Sequence, residues 1–260
     1  MGPLETSELG AVREAEVEIA VAGGEIPEGT RVHLKLDTGM GRYGLSELPS
    51  PQAEVVGLMT HLATADSDVA FARAQLERFQ VATEQYSHLT RHAANSAAAL
   101  RLPESHFDAA RCGGAVYGLS PFNTDPQEDG LEPVLSWQST LAQVKRLEPG
   151  QSTGYRRRFV VEAPTWIGIV PVGYGDGFRR DLTGTEVRVA GEPRHVVGTV
   201  SMDSFAVELD RELPVGAPVV LLGHGVLAEA HARTADTINY ELVCGIESDP
   251  LRARRTVIDA

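Results

Sequence analysis

The side chains able to do chemistry fall in a short series, each group at the end of an apolar run. Lys35, Asp37 and Arg42 follow the first run, His61 and Asp66 the second, Asn95 and Ser96 the third, and Arg111, Gly113 and Gly114 the fourth. If the runs are parallel strands, these positions are strand C-termini, where a parallel α/β barrel gathers its functional groups. A serine at a helix start and a Gly-Gly turn both offer backbone N–H groups to an anion, and the cations favour its approach. The set therefore suits a phosphate. Taken alone, Ser96 reads just as well as the N-cap of the helix that follows it.

Other constellations have plainer readings. His88 and His92 lie four apart with no third ligand nearby, which reads as a solvated helix end whose imidazoles complement the macrodipole. Gly173, Gly175 and Gly177 are wrongly spaced for a dinucleotide loop and mark a turn. Cys112, beside Arg111, reads as a small buried filler, and Phe71, Leu76 and Phe79 as a core stripe. No metal site is expected.

The elements that must position these residues alternate. Residues 7–22 read as a helix with Ser7 as N-cap, 32–36 as a strand running into the loop DTGMGRYG, and 54–61 as a buried strand. An amphipathic helix is expected over 68–91. HAAN (92–95) leads into SAAALRL as a strand-to-helix junction, and 108–118 read as one more strand with its exit loop. Beyond the polar, Pro- and Asp-rich stretch at 120–133 come short strands divided by turns: LSWQSTLAQVKRL, WIGIVPVG, TEVRVAG, RHVVGTVSMD and APVVLLG. A helical segment at 233–242 closes the series. The expectation is about four βα units over 1–122 and an all-β domain over 123–260. Four units cannot close an eight-stranded barrel, and an open half leaves bare strand edges. The chain thus reads as the latter half of a (β/α)8 barrel followed by a β domain, an incomplete form of a larger protein.

Composition removes several classes. A net charge of −13 argues against nucleic acid and against anionic membrane surfaces. Two cysteines, Cys112 and Cys244, make no disulfide framework and fit a reducing compartment. No apolar run reaches membrane-spanning length and the start lacks a leader pattern, so a cytoplasmic location is expected. There are two lysines, Lys35 and Lys145.

Seven segments, HLKLDTGMGRYG, GLMTHLATAD, HAANSAAALRLP, RCGGAVYGLSP, PVGYGDGFRR, VVGTVSMDSF and DTINYE, together resemble the alanine racemase family in order and spacing, over about residues 31–245. The resemblance implies a homodimeric pyridoxal 5'-phosphate enzyme that interconverts L- and D-alanine, the D-alanine serving peptidoglycan. It places Arg111 at the pyridine nitrogen and His61 by the ring, with Ser96, Gly113, Gly114 and Tyr240 on the phosphate. Arg42 then binds substrate carboxylate and Lys35 is the lysine, often carbamylated, that steadies it. Tyr155 becomes a catalytic base and Met202 offers its N–H to the carboxylate, both in the opposite subunit's site. The family's cofactor lysine lies in a segment reading like VKANAYGHG, and no stretch of this chain matches it. Tyr155 is followed by Arg156 where the family usually has Gly, and Ser201 stands where a cysteine is common. Two other readings stand beside it: a non-catalytic binding or assembly fragment, and a racemase for another amino acid such as serine.

Overall fold

In VHLKL every second residue is apolar, and the structure buries that half: Val32 and Leu34 are covered while His33 and Lys35 lie on the other face, partly open. The computed structural model describes residues 5–50, 52–251 and 253–258. It divides into two compact units, one up to Ala115 and one from Val116.

The first unit holds four parallel strands in sequence order, β1 (Ile19–Val21), β2 (Val32–Lys35), β3 (Val55–Met59) and β4 (Thr90–His92). Helix α1 (Leu9–Glu14) precedes them, α2 (Val69–Thr83) joins β3 to β4, and α3 (Ser96–Arg101) follows β4. Leu76 and Phe79 of α2 are buried, whereas Phe71 stays 37% exposed at the helix start. The unit is the latter part of a parallel barrel, as read.

Several boundaries differ from the sequence reading. The helix expected over 7–22 stops at Glu14. Glu16 takes a positive φ of 53°, and Ile19–Val21 instead pairs with β2, so strand pairing overrides local helix propensity. Ser7 lies inside a 3₁₀ turn capped by Glu5, so it is no N-cap. The helix over 68–91 ends at Thr83, whose hydroxyl donates back to the Phe79 carbonyl. The strand expected at 108–118 shrinks to one bridge, Ala109 with His92, before the Gly-Gly turn. Asn95, not Ser96, caps α3, its Oδ1 accepting from the Ala98 N–H at 3.0 Å. The Ser96 hydroxyl is thereby free to face another partner.

The second unit is an antiparallel β structure. Its strands are β5 (Trp137–Thr140), β6 (Gln143–Leu147), β7 (Ser152–Thr153), β8 (Phe159–Val160), β9 (Thr165–Val170), β10 (Glu186–Val189), β11 (Glu192–Val197), β12 (Phe205–Leu209) and β13 (Pro218–Leu222). Seven form one sheet in the order β5-β13-β10-β11-β12-β9-β6, and β7 pairs with β8 alone. Only Leu141 and Ala142 separate β5 from β6, at opposite ends of that order, so the sheet curls back on itself. Fully buried Leu141 sits at the bend. Phe178 stacks on Phe205 at 4.4 Å between centroids, amid Val170, Val187, Val207 and Leu221. The helix expected at 233–242 is two, α4 (Ala228–Thr234) and α5 (Asn239–Cys244), broken where Asp236 takes a φ of 50°. Strand β12 and the β7–β8 pair were not anticipated.

Asn95→Ala should cost about 1 kcal/mol in urea unfolding through loss of the cap. Ser96→Ala should leave α3 capped and instead speed amide exchange at Gly113 and Ala115, read by NMR. Matching behaviour of the two variants would return the cap to Ser96.

Candidate active site

Arg111 follows the Ala109 bridge and turns its guanidinium back over the ends of β3 and β4. Its Nη2 donates to the carbonyls of Thr60 at 2.7 Å and Ala93 at 3.3 Å; its Nη1 donates to the His92 carbonyl at 3.0 Å. The same two nitrogens reach His61 Nδ1 at 3.3 Å and His92 Nδ1 at 2.6 Å. Among the described residues no carboxylate pairs with Arg111, and its Nε has no hydrogen-bond partner. An arginine can only donate, so both histidines must present a lone pair to it. Burial first, then the charges of Arg111, Lys35 and Arg42, hold His61 down to about 4. His92 is held to about 4 by burial, Arg111 and His33. Both are neutral.

A closed loop sets the other cations. The Leu45 N–H bonds the Lys35 carbonyl and the Asp37 N–H bonds the Leu45 carbonyl, so residues 37–45 fold back on themselves. The Asp37 carboxylate accepts from the N–H groups of Gly39, Met40 and Gly41, which keeps it ionised and below the usual carboxylate range. A Cβ at Gly44, where φ is +149°, would strike the Asp37 backbone, so glycine is required there. Lys35 Nζ lies 5.9 Å from the Tyr43 ring centre. Burial, then Arg42 and Arg111, lowers its pKa, with Asp37 opposing. Arg42 is exposed on the same loop.

The Ser96 hydroxyl accepts from the Gly113 N–H at 3.0 Å and the Ala115 N–H at 3.4 Å, fastening the Gly113–Gly114 turn to the start of α3. Space beyond Gly113 is open: a Cβ there would meet nothing within 4 Å. From α2, fully buried Gln75 accepts from the Ala63 N–H at 2.8 Å and donates to the His61 carbonyl at 3.3 Å, which fixes the His61 loop. Gln75, His33 and His92 are site residues that the sequence reading missed. Cys112 is exposed, not a buried filler, because the Gly-Gly turn carries it to the surface. His92 lies in β4, so its spacing from His88 has no helical meaning.

This donor set fits pyridoxal phosphate. Three cations gather where the nearest carboxylate is occupied by backbone amides; among the described residues the Arg111 Nε–H has no partner, and the space beyond Gly113 is open to an anionic group. Among the described residues no group of three His, Cys, Asp or Glu side chains converges as metal ligands.

In the second unit, Tyr155 and Met202 are 68% and 59% exposed. The Thr199 hydroxyl donates to the Tyr155 carbonyl at 3.3 Å, and the Gly175 N–H to the Met202 carbonyl at 2.8 Å. Gly173 has no room for a side chain, since a Cβ would overlap the backbone of Ser201 and Met202. Both residues therefore rest on backbone ties, with their side chains outward. Tyr240 lies on α5, half-buried against Leu119, Leu222 and Ala228. Lys145 is exposed on β6.

Residues 10–121 match the family described as "Alanine racemase, N-terminal domain", and residues 134–255 match "Alanine racemase, C-terminal domain". The crystal structure of alanine racemase from E. faecalis aligns over 95% of this chain and 75% of its own, at 33% identity and a TM-score of 0.85. The chain belongs to the alanine racemase family. Alanine racemase 1 of Bacillus subtilis is 39% identical over 83% of this chain and 61% of its own length. Alanine racemase of Halorhodospira halophila is 36% identical over 99% of this chain and 77% of its own. The chain spans about three-fifths of the length of the first curated relatives it matches. The family also has the architecture described here, a parallel barrel unit ahead of an antiparallel β unit. No helix among the described residues is long and apolar enough to cross a membrane.

The two neutral imidazoles give the first unit a pH signature. His61 and His92 ordinarily titrate near 6.5 but near 4 in the fold, so between these values the unfolded chain binds more protons. Stability should therefore fall as pH drops from about 6.5 towards 4, and show no slope from these groups above 6.5. Urea unfolding from about pH 7 to 4.5 should reveal a slope approaching two protons, cut by up to one in His92→Gln. A flat profile contradicts the neutral assignment.

Proposed function

We propose that this chain carries most of the substrate and cofactor machinery of a pyridoxal-phosphate-dependent racemase acting on alanine. The observation that carries the reading is the cluster of Lys35, Arg42 and Arg111, without a salt-bridged carboxylate among the described residues and set near the Ser96–Gly113 turn. The relatives named alanine racemase supply the reaction. Pyridoxal phosphate, when bound, supplies the electron sink for loss of an α-proton.

The chain's residues divide the remaining work. Arg111 would hold the pyridine nitrogen with its Nε–H. A guanidinium does not give up its proton, so such a partner would disfavour a protonated ring and the side reactions that need one. His61 lies by the ring as a neutral imidazole. Ser96, Gly113 and Gly114 take the phosphate, as the resemblance also assigns Tyr240. Arg42 receives the substrate carboxylate. Lys35 steadies it, and the neutral amine favoured by its lowered pKa is the form that carbamylates. Tyr155 moves the α-proton on one face, and the Met202 N–H supports the carboxylate. The exposure of Tyr155 and Met202 fits service in a second copy's site, and so a homodimer. The acidic net charge fits a cytoplasmic enzyme without nucleic-acid or membrane partners. Lys35 sits in the matched LKLD motif beside Arg42 and Lys145 is exposed on β6, so neither is assigned as the cofactor lysine.

An assembly of this chain with a family member's lysine-bearing segment tests the reading. Tyr155→Phe should slow solvent-deuterium exchange into L-alanine by about 10²–10⁴-fold, the loss expected for a placed general base, and spare D-alanine. Equal losses would make Tyr155 a positioning group. An unsubstituted assembly that folds but exchanges neither enantiomer overturns the function.

A further inference from the structure

Behind Arg111 a line of hydrogen bonds crosses the parallel sheet to its far edge. His92 Nδ1 faces Arg111 Nη1 at 2.6 Å, His92 Nε2 faces His33 Nδ1 at 2.7 Å, and His33 Nε2 faces Glu18 Oε2 at 2.8 Å. Glu18 precedes β1, His33 lies in β2 and His92 ends β4, so the line passes over β3 without using it. Gly57 of β3 makes this passage possible. A Cβ there would overlap the His33 ring. The two imidazoles meet edge to face at 4.9 Å in the notch that the glycine leaves.

Proton counting fixes the direction of every bond. Arg111 at one end has only donors, and an ionised Glu18 at the other has only acceptors. Two neutral imidazoles between them satisfy all three contacts in one way: Arg111 donates to His92, His92 Nε2–H to His33, and His33 Nε2–H to Glu18. A proton added to either ring would leave two N–H groups facing each other. The charged groups facing this line are Arg31, paired with Glu18 at 2.5 Å, and on the Arg111 side Lys35 and Arg42, which act on His61 there. Glu18 is the one carboxylate on the line.

We propose that Glu18 and His33 are positioning residues for Arg111. The carboxylate sets both histidine tautomers, and through them holds the guanidinium so that its Nε–H stays directed at the cofactor ring. Gly57 is the gap through which the restraint passes. The proposal rests on the pyridoxal phosphate reading for its consequence at the ring, but the wiring is a property of the chain itself.

Long-range ¹H–¹⁵N NMR of the full chain, without cofactor, reads the tautomers directly. Both His33 and His92 should carry the proton on Nε2. Glu18→Ala should release His92 into a mixture of tautomers, while Glu18→Gln, whose amide oxygen can still accept, should preserve the wild-type pattern. Gly57→Ala should break the His33–His92 contact by displacing a movable ring rather than backbone, with the same mixing at His92. A wild-type His92 protonated on Nδ1, or a His92 signal unchanged in both Glu18→Ala and Gly57→Ala, overturns the proposal. Pyridoxal phosphate titrated into the same samples separates the two readings. Weaker binding in Glu18→Ala than in Glu18→Gln supports the consequence at the ring. No binding by wild type alongside the expected tautomers overturns the cofactor reading and leaves the wiring supported.

Discussion

A guanidinium drawn among strand ends without a carboxylate is costly unless most of its donors are engaged, and under that constraint the first unit engages both Nη atoms of Arg111. Arg111 meets it with three carbonyls and two imidazoles contributed by the ends of β3 and β4. Thr60 and Ala93 lie just past the ends of β3 and β4, and the His92 carbonyl also accepts from the Thr60 N–H at 3.3 Å. The Arg111 backbone is itself tied to the Ala94 carbonyl at 2.9 Å, so the side chain leaves from a fixed point.

The neighbouring residues extend the same arrangement. Asp37 would neutralise the cluster if it were free, but three backbone amides hold it away from the cations. Thr60 links the two strand ends, donating to the Leu36 carbonyl while its own carbonyl receives Arg111. Gln75 does for the His61 loop what Asn95 does for α3, replacing a missing backbone partner with a side chain. In the β unit, the Thr199 hydroxyl holds the Tyr155 carbonyl, and Met202 packs its backbone against Gly173, where a Cβ would overlap it.

The apolar alternation in β2 and the antiparallel strands made the fold class legible, as did the glycines and cations at the strand exits. The motif resemblance gave roles to His61, Ser96 and Arg111, and the geometry gathers these three in one unit. What sequence missed is spatial. His92 was paired with His88 by a helical spacing that does not apply across the end of a helix into a strand. Its actual partner, His33, is 59 residues away. Glu18 fell inside an expected helix because a short edge strand has little periodicity of its own, and pairing with β2 decides its conformation. Gly57 read as one more residue of a buried run, since nothing local shows that a ring from the next strand lies over it.

The most direct test of the central claim is the crystal structure of the chain with pyridoxal phosphate added. Arg111 Nε should lie about 2.7–3.2 Å from the ring nitrogen, an ordinary hydrogen-bond distance. The phosphate should lie at the Ser96–Gly113 turn. A phosphate seated on the Arg111 guanidinium, with the ring nitrogen elsewhere, would contradict the account.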